Sequence, residues 1–280
     1  MRNTLKVLAA SAGAAALVIS GGAVASATGT AGSGDWPRAY TCTGGNLQTG
    51  TFATIPSGTY ASIRVTGACQ PKPDAVIKVL GDVHVAAGAA LDAQSYPSTI
   101  TVRHNVIAAS GSLLGLGCLP NPTPKSTTGH PCVDAKGNPT TFSSSITVDG
   151  NVVARDANTV LLNGITVKRN VILVGGGGAI PWAIKTNTIR GDLIVRDMTP
   201  NWLGVILNKI GGDAILVNVH ITDGLPPNND PKPTIFVASN NVRENLICRG
   251  LGPFVSGGFG TEHNVVGDEA LGQCAHLTNE

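Results

Sequence analysis

A short motif with a polar corner recurs along the chain at nearly constant spacing, and this repeat restricts the fold more than any other feature. Each copy places an Asn or Asp between two runs of alternating apolar residues, as in Ile146-Thr-Val-Asp-Gly-Asn-Val152. These polar anchors are Asp82, Asn105, Asn151, Asn170, Asp192, Asp213, Asn245 and Asn264. Repetition at a fixed period of this size is typical of stacked supersecondary units and predicts a solenoid.

The spacing of the anchors sets the size of the repeating coil. Five intervals are 19 to 23 residues long, and the other two are 46 and 32 residues long. We interpret the interval of 46, which holds the Pro-rich segment 119–139, as two periods, and the interval of 32 as one period with an insertion at 225–233. We therefore expect about eight to ten coils of about 19–24 residues.

The residues around each anchor alternate as β-strands do. Positions five and three before the anchor, and one and three after it, are mostly apolar and often β-branched, which favours a strand on each side. The segments Gly88–Leu91 and Gly111–Leu114 predict a third strand. We expect an all-β parallel β-helix with disulfide-stapled ends. Asn and Asp tolerate left-handed backbone angles and hydrogen-bond the local backbone, which suits such corners, and the stacked corners should form a ladder.

The N-terminus has the pattern of a secretory signal peptide over residues 1–27, with Arg2 and Lys6, an apolar run, and small residues up to Ala27. Residues 28–40 are expected to be a flexible segment, and residues 41–280 a single β-helix domain with caps at 41–69 and 246–280. No later apolar run is long enough to span a bilayer. These features predict a secreted, extracellular protein without a membrane span.

The six cysteines are even in number, which in an exported chain favours disulfides. Six cysteines allow 15 connectivities. Residues distant in the sequence of a solenoid are also distant in space, so we predict nearest-neighbour bridges. These pairs are Cys42 with Cys69, Cys118 with Cys132, and Cys248 with Cys274.

Charge and motifs exclude several functional classes. Without residues 1–27 the chain has 17 basic and 17 acidic residues, which does not favour nucleic acid as a partner. The sequence lacks a C-x-x-C pair, a G-x-S-x-G, an H-E-x-x-H, a P-loop and an EF-hand loop. We therefore predict no metal and no cofactor.

Several segments look like those of a known group of proteins. They are Pro56-Ser-Gly-Thr-Tyr60, Leu246-Ile-Cys248, the stretch through His263-Asn-Val-Val-Gly267, and Gly272-Gln-Cys-Ala275. Together they resemble uncharacterised secreted β-solenoid proteins of Gram-positive bacteria. The resemblance covers most of the chain after residue 27 and implies a β-helix, but no activity.

One outward column of the predicted coils is aliphatic. Two residues after the anchors lie His84, Ile107, Val153, Ile172, Ile194, Ile215, Ile247 and Val266. We call the six members from Ile107 to Ile247 the aliphatic stripe. Stacked about 4.8 Å apart, they would form an apolar patch larger than soluble monomers usually expose. The stripe either lies under the Pro-rich insertions or a terminal segment, or is a surface for self-association or for another cell-envelope component.

Two further columns are polar. Two residues before the anchors lie Arg103, Asp149, Lys168, Arg190, Gly211 and Arg243, which we call the cationic column. Four before them lie Lys78, Thr101, Thr147, Thr166, Thr188 and Lys209, the hydroxyl column. Both columns suit a solvated sheet face that discourages aggregation. They also suit a track for an anionic polymer such as teichoic acid or a uronic-acid polysaccharide, with Arg103, Lys168, Arg190 and Arg243 as the ligand-binding residues.

An enzyme is the alternative function. The pairs Arg155-Asp156 and Arg196-Asp197 occupy equivalent positions two coils apart, with Val174-Gly175 between them. Their carboxylates should be about 10 Å apart, at the upper limit for an inverting glycosidase. We predict a non-catalytic structural, adhesive or glycan-contacting protein, with a polysaccharide lyase or glycoside hydrolase as the alternative.

Overall fold

The structure is a computed structural model that describes residues 36–121, 129–134, 136–222, 234–257 and 263–278. Within these residues the chain forms β-strands and no helix. Three parallel sheets contain ten, nine and nine strands, and the chain visits sheet 1, sheet 2 and sheet 3 in turn. The predicted parallel β-helix and its coil number are therefore confirmed.

The strands of the three sheets follow in chain order. Sheet 1 consists of Tyr40–Cys42, Ile63–Val65, Val83–Val85, Val106–Ala108, Val152–Arg155, Val171–Val174, Leu193–Met198, Ala214–His220, Leu246–Gly252 and Ala270–Gly272. Sheet 2 consists of Ala53–Ile55, Ala68–Pro71, Ala90–Ala93, Leu113–Leu116, Thr159–Asn163, Trp182–Lys185, Leu203–Ile206, Thr234–Ala238 and Phe254–Ser256. Sheet 3 consists of Gly58–Tyr60, Ala75–Val79, Ser98–Val102, Ser145–Val148, Thr166–Val167, Thr188–Ile189, Lys209–Ile210, Asn241–Val242 and Val265–Val266.

The alternation of the sequence places one aliphatic row of each strand in a thin core. In Ala75–Val79 the first, third and fifth residues are buried and the two between them are exposed. Val, Ile and Leu dominate the buried interior, because β-branched side chains pack well on a pleated surface. The predicted third strands exist as Ala90–Ala93 and Leu113–Leu116 of sheet 2.

Two strands of sheet 2 depart from this alternation because they are covered on both faces. All four residues of Leu113–Leu116 and of Leu203–Ile206 are buried. The Trp202 ring lies over Gly204, where an added Cβ would be 2.3 Å from the ring. The same ring contacts Phe236, with 5.8 Å between the ring centroids.

The interval of 46 residues is one coil, so its interpretation as two periods was wrong. Val106 pairs directly with Val152, and Ile100 pairs directly with Ile146. The extra residues form an insertion over residues 117–144, between Leu113–Leu116 and Ser145–Val148. Its described part bonds back to the coils, as where the Val133 N–H donates to the Ser95 carbonyl at 2.8 Å. The interval of 32 is one coil, as predicted, because Ile215 pairs with Ile247.

The predicted ladder of anchors runs along the turn from sheet 3 to sheet 1. Each anchor oxygen accepts a hydrogen bond from the backbone N–H of the next anchor, as where Asn105 N donates to Asp82 Oδ1 at 2.8 Å. This first ladder contains Asp82, Asn105, Asn151, Asn170, Asp192, Asp213 and Asn245. The next position is Glu269, whose N–H donates to Asn245 Oδ1 at 3.3 Å. The assignment of Asn264 as the eighth anchor was therefore wrong.

Asn264 belongs to a second ladder, which lies at the turn from sheet 2 to sheet 3. Its members Asn187, Asn208, Asn240 and Asn264 are almost fully buried. Each oxygen accepts from the backbone N–H of the preceding coil, so Asn240 N donates to Asn264 Oδ1 at 3.0 Å. This second ladder was missed by the sequence analysis.

Left-handed backbone angles occur at the other two turns and not at the anchors, although Asn and Asp tolerate them. At the turn from sheet 1 to sheet 2, Asp156, Asp197 and Asn218 have φ of 50°, 56° and 52°. At the turn from sheet 2 to sheet 3, Thr186 and Leu207 have φ of 59° and 60°. The first-ladder oxygens bond to the next coil and not to the backbone of their own turn.

The three disulfides are those predicted from nearest neighbours. Cys42 pairs with Cys69 at the first coils, and Cys248 pairs with Cys274 at the last ones. The bridge between Cys118 and Cys132 closes the first insertion instead of an end.

The predicted segment boundaries fall on the structure as follows. The signal peptide at 1–27 and most of the segment 28–40 lie outside the described residues. The predicted N-terminal cap at 41–69 contains strands that pair in register with the following coil, as Ile63 pairs with Val83. The predicted C-terminal cap at 246–280 begins with Leu246–Gly252 of sheet 1.

Candidate functional site

The cationic column lies in the turn between sheet 3 and sheet 1. The residues preceding it are paired in register from coil to coil, as Val102 with Val148 and Val148 with Val167. Each member of the column therefore sits directly above the previous one. Arg103, Lys168, Arg190 and Arg243 are all exposed. Register thus brings these four sequence-predicted residues together on one edge of the solenoid.

Asp149 occupies one place in this column and binds the cations on both sides of it. Its Oδ2 is 2.9 Å from Arg103 Nη1, and its Oδ1 is 2.8 Å from Lys168 Nζ. The hydrogen bonds from Lys168 and Arg103 hold the pKa of the Asp149 carboxyl below its ordinary value. The carboxylate thus neutralises this part of the column.

Gly211 occupies the corresponding place between Arg190 and Arg243. A shallow depression of about 420 Å³ lies there, lined by Thr188, Ile189, Arg190, Lys209, Ile210, Gly211, Asn241 and Arg243. Its lining includes three cations and no carboxylate. A Cβ at Gly211 would lie 2.3 Å from the Arg190 carbonyl oxygen, so the backbone excludes a side chain here.

The hydroxyl column lies beside the cationic column on the outer face of sheet 3. Its members pair in register in the order Lys78, Thr101, Thr147, Thr166, Thr188 and Lys209, followed by Asn241. The members at the two ends of this column are exposed, namely Lys78, Thr188 and Lys209. The members between Lys78 and Thr188 are half-buried, namely Thr101, Thr147 and Thr166. The face therefore presents hydroxyl groups next to the row of cations.

Two cations near the column were not among the predicted binding residues. Arg169 lines a second depression of about 300 Å³ together with Arg103, His104 and Asp149. Lys209 lines the Gly211 depression. Lys209 lies in the hydroxyl column, four residues before its anchor Asp213, whereas Arg190 lies in the cationic column, two residues before its anchor Asp192. The pairing of Lys209 with Thr188 brings the two cations to the same depression.

The pairs Arg155-Asp156 and Arg196-Asp197 lie at a different edge, the turn from sheet 1 to sheet 2. Arg155 pairs with Val174 and Val174 with Arg196, as the sequence spacing predicted. Both aspartates have left-handed φ. Asp197 Oδ1 accepts a hydrogen bond from Asn218 Nδ2 at 3.1 Å, and its Oδ2 is 3.8 Å from Arg196 Nε. Their contacts are thus those of turn residues, and their catalytic role stays a prediction.

The aliphatic stripe lies on the outer face of sheet 1. Its residues Ile107, Val153, Ile172, Ile194, Ile215 and Ile247 pair in direct succession and are half-buried. The next member is Leu271, because Val266 belongs to sheet 3. The described contacts of the first insertion go elsewhere: Lys185 Nζ of sheet 2 donates to the Gly129 carbonyl at 3.2 Å. These contacts do not support the interpretation that this insertion covers the stripe.

A second group of titratable side chains lies where the first insertion meets sheet 2. Burial lowers the pKa of Lys185. Burial and the Lys185 charge lower the pKa of His130, against the opposing effect of Asp92. This group is separate from the cationic column and connects the insertion to the coils.

The remaining predictions concern metals and membranes. Within the described ranges, no group of three or more His, Cys, Asp or Glu side chains is placed to hold a metal ion. No helix long and apolar enough to span a membrane occurs in the described residues.

Comparison with known proteins gave no relative. No protein family, no curated protein and no solved structure matches the chain.

Proposed function

We propose that this chain is a secreted, non-catalytic β-solenoid that contacts anionic extracellular polysaccharides through the cationic and hydroxyl columns. The observation that carries the proposal is the stacking of Arg103, Lys168, Arg190 and Arg243 along one turn, beside a face of threonines. Arginine binds carboxylate and phosphate groups through two parallel hydrogen bonds. Hydroxyl groups beside the cations suit the hydroxyls of sugars.

The shape of the surface supports an extended ligand. The column positions repeat at the coil spacing of about 4.8 Å, and neighbouring cations stand one or two coils apart along an edge with two depressions. A linear polymer with regularly spaced charges can contact several of these cations at once, and the separate contacts then reinforce one another. A small ligand would reach only one or two of them.

Several features support a binding role over catalysis. Asp149, the acidic residue in the cationic column, is bonded to Arg103 and Lys168. A general acid or base needs a proton-exchanging group that reaches the substrate. The two aspartates of the alternative enzyme site instead occupy left-handed turn positions on another edge.

Binding to a panel of polymers tests the proposal. The panel consists of polyuronate, hyaluronan, a glycerol phosphate polymer, neutral dextran and duplex DNA. We expect the anionic polysaccharides to bind, dextran not to bind, and the affinity to fall as salt rises, because salt screens exposed charges. The variant Arg103→Gln, Lys168→Gln, Arg190→Gln, Arg243→Gln should lose this binding.

A matched control removes arginines from another exposed edge. Arg155→Gln, Arg196→Gln, Arg249→Gln changes three exposed residues of sheet 1 and its following turn. This triple variant should retain most of the binding if the cationic column is responsible. Equal loss in both variants, or tighter binding to DNA than to every polysaccharide, would contradict the proposal. New unsaturated or reducing ends on any polymer, lost in Asp156→Ala, would favour the enzyme.

A further inference from the structure

One column position has two different occupants in equivalent settings. In one triad Asp149 lies between Arg103 and Lys168, and in the other Gly211 lies between Arg190 and Arg243. The strand residues that precede each triad pair in the same register: Val102 with Val148 and Val148 with Val167 in one, Ile189 with Ile210 and Ile210 with Val242 in the other. In both triads the flanking cations are therefore two coils apart, about 10 Å.

The Asp149 triad shows which chemical group fits between two such cations. One carboxylate reaches both neighbours, with contacts of 2.9 Å to Arg103 and 2.8 Å to Lys168. The lowered pKa of Asp149 shows that the two cations favour the ionised carboxyl. Two cations that lie one coil before and one coil after the same column position thus leave a space that fits a single carboxylate.

The Gly211 triad has the cations without the carboxylate. Arg190, Lys209 and Arg243 line the depression of about 420 Å³, together with the polar side chains of Thr188 and Asn241. Among the described residues, no carboxylate forms an ion pair with any of these three cations. The close approach of the Arg190 carbonyl keeps the position free of a side chain.

We propose that the depression at Gly211 binds one carboxylate of an anionic sugar, in the place that Asp149 fills in the other triad. This assignment rests on the proposed function and names its preferred ligand, a uronate residue. Arg190 and Arg243 contact the carboxylate from the two sides, and Lys209 adds a third positive charge. Thr188 and Asn241 offer hydrogen bonds to the hydroxyls of the same sugar.

Titration with a short probe tests the site separately from polymer binding. The probe is digalacturonate, with its methyl ester as the uncharged control, and binding is measured by calorimetry. Wild type should bind the acid at one site and should not bind the ester. Arg190→Gln and Arg243→Gln should each weaken binding about tenfold or more, since each removes a charged hydrogen bond.

The matched control is Arg103→Gln, which removes the same side chain from the same column. Because Arg103 already has Asp149 as its partner, this change should alter digalacturonate affinity by less than about twofold. Arg103, Arg190 and Arg243 are exposed, so all three variants should keep the circular dichroism and Tm of wild type. Asn241→Asp adds a carboxylate beside the depression and should also weaken binding.

A gain-of-site variant provides the sharpest test. Asp149→Gly removes the internal carboxylate together with the side chain that fills its place, and so leaves Arg103 and Lys168 in the setting of Arg190 and Arg243. The number of digalacturonate sites should then rise from one to two.

The outcomes separate the site from the proposed function. If polyuronate binds but Arg103→Gln and Arg190→Gln weaken digalacturonate equally, the Gly211 site is wrong while the polymer-binding face stands. A preference for sulfated or phosphorylated disaccharides, or an unchanged stoichiometry in Asp149→Gly, also overturns the carboxylate site. If no anionic polymer binds, the proposed function itself is wrong.

Discussion

At the residue scale, the two ladders use the same type of side chain in opposite directions along the solenoid. In the first ladder each oxygen accepts from the N–H of the following coil, and in the second from that of the preceding coil. Some first-ladder asparagines also donate to the neighbouring anchor oxygen, but each described second-ladder Asn needs its donor for a buried backbone carbonyl, as where Asn208 Nδ2 bonds to the Ile184 carbonyl at 2.8 Å. This requirement explains why Asp replaces Asn only in the first ladder among the described members.

The ladders therefore respond differently to an isosteric change. Asn208→Asp should lower the free energy of unfolding by about 3 kcal/mol or more, because it removes a buried donor and buries a charge. Asn170→Asp should cost about 1 kcal/mol or less, since the Asn170 side chain acts as an acceptor through Oδ1 and Asp already has this role in the same ladder at Asp192. Urea unfolding followed by circular dichroism measures both values. Equal losses would contradict the distinction between the ladders.

The ion pairs of Asp149 predict part of the pH dependence of stability. Its pKa is lowered in the folded state by Lys168 and Arg103. Its contribution is therefore present above the unfolded pKa of about 3.9 and is lost as pH falls through the lower folded value. Urea midpoints of Asp149→Asn should fall less steeply than those of wild type below about pH 4. Parallel curves would show that these ion pairs add nothing to stability.

At the element scale, sheets 1 and 3 could be predicted from the sequence because each flanks an anchor with alternating apolar residues. Sheet 2 was harder to predict because strands such as Leu113–Leu116 are buried on both faces and show no alternation. The residues that cover them come from distant segments, as Trp202 covers Gly204. Only the third strands near residues 90 and 113 had a clear local signal.

The register of the last coil could not be read from local sequence. His263-Asn-Val265 looks like Arg169-Asn-Val171, but the two segments lie at different turns. Asn residues occur both at the turn from sheet 3 to sheet 1 and at the turn from sheet 2 to sheet 3. The hydrogen bonds that an Asn makes to the neighbouring coil decide which ladder it belongs to. The candidate residues Arg190 and Arg243 were predictable as one column beside the column that holds Lys209, but Lys209 was not predicted as a binding residue, because its shared depression with them depends on the coil register.

The first insertion should be separable from the coils that carry it. The bridge between Cys118 and Cys132 closes a short loop of 14 residues outside the stacking of Val106 on Val152. Cys118→Ala, Cys132→Ala should therefore expose the insertion to proteolysis and leave the β-signal in circular dichroism unchanged. Cleavage within the coils, or loss of the β-signal, would mean that the insertion supports the solenoid.

At the scale of the whole molecule, the three sheets present different chemistry. Sheet 1 presents the half-buried aliphatic stripe and, in alternate coils, Arg155, Arg196 and Arg249. Parts of the outer face of sheet 2 are covered, and sheet 3 presents threonines beside the cationic column. Self-association through the stripe stays a prediction. It is compatible with the polysaccharide face because the two lie on different sides of the turn that carries the first ladder.

Lysines in the stripe test this prediction. Ile172→Lys, Ile194→Lys should abolish self-association seen by light scattering while circular dichroism stays unchanged, because the change places charge in an apolar contact. Thr166→Lys, Thr188→Lys is the control, since it adds the same charges to sheet 3 of the same coils. A wild type that is monomeric at all concentrations would exclude self-association.

The footprint of a polyuronate on the backbone amides tests the central claim, that the cationic column is the binding surface. In ¹H–¹⁵N spectra of the labelled protein, we expect the polymer to shift amides near Arg103, Lys168, Arg190, Lys209 and Arg243. Amides of sheet 2 and of the turn at Arg155 and Arg196 should stay unchanged. Shifts confined to sheet 2 or to that turn, with none along the cationic column, would contradict the account.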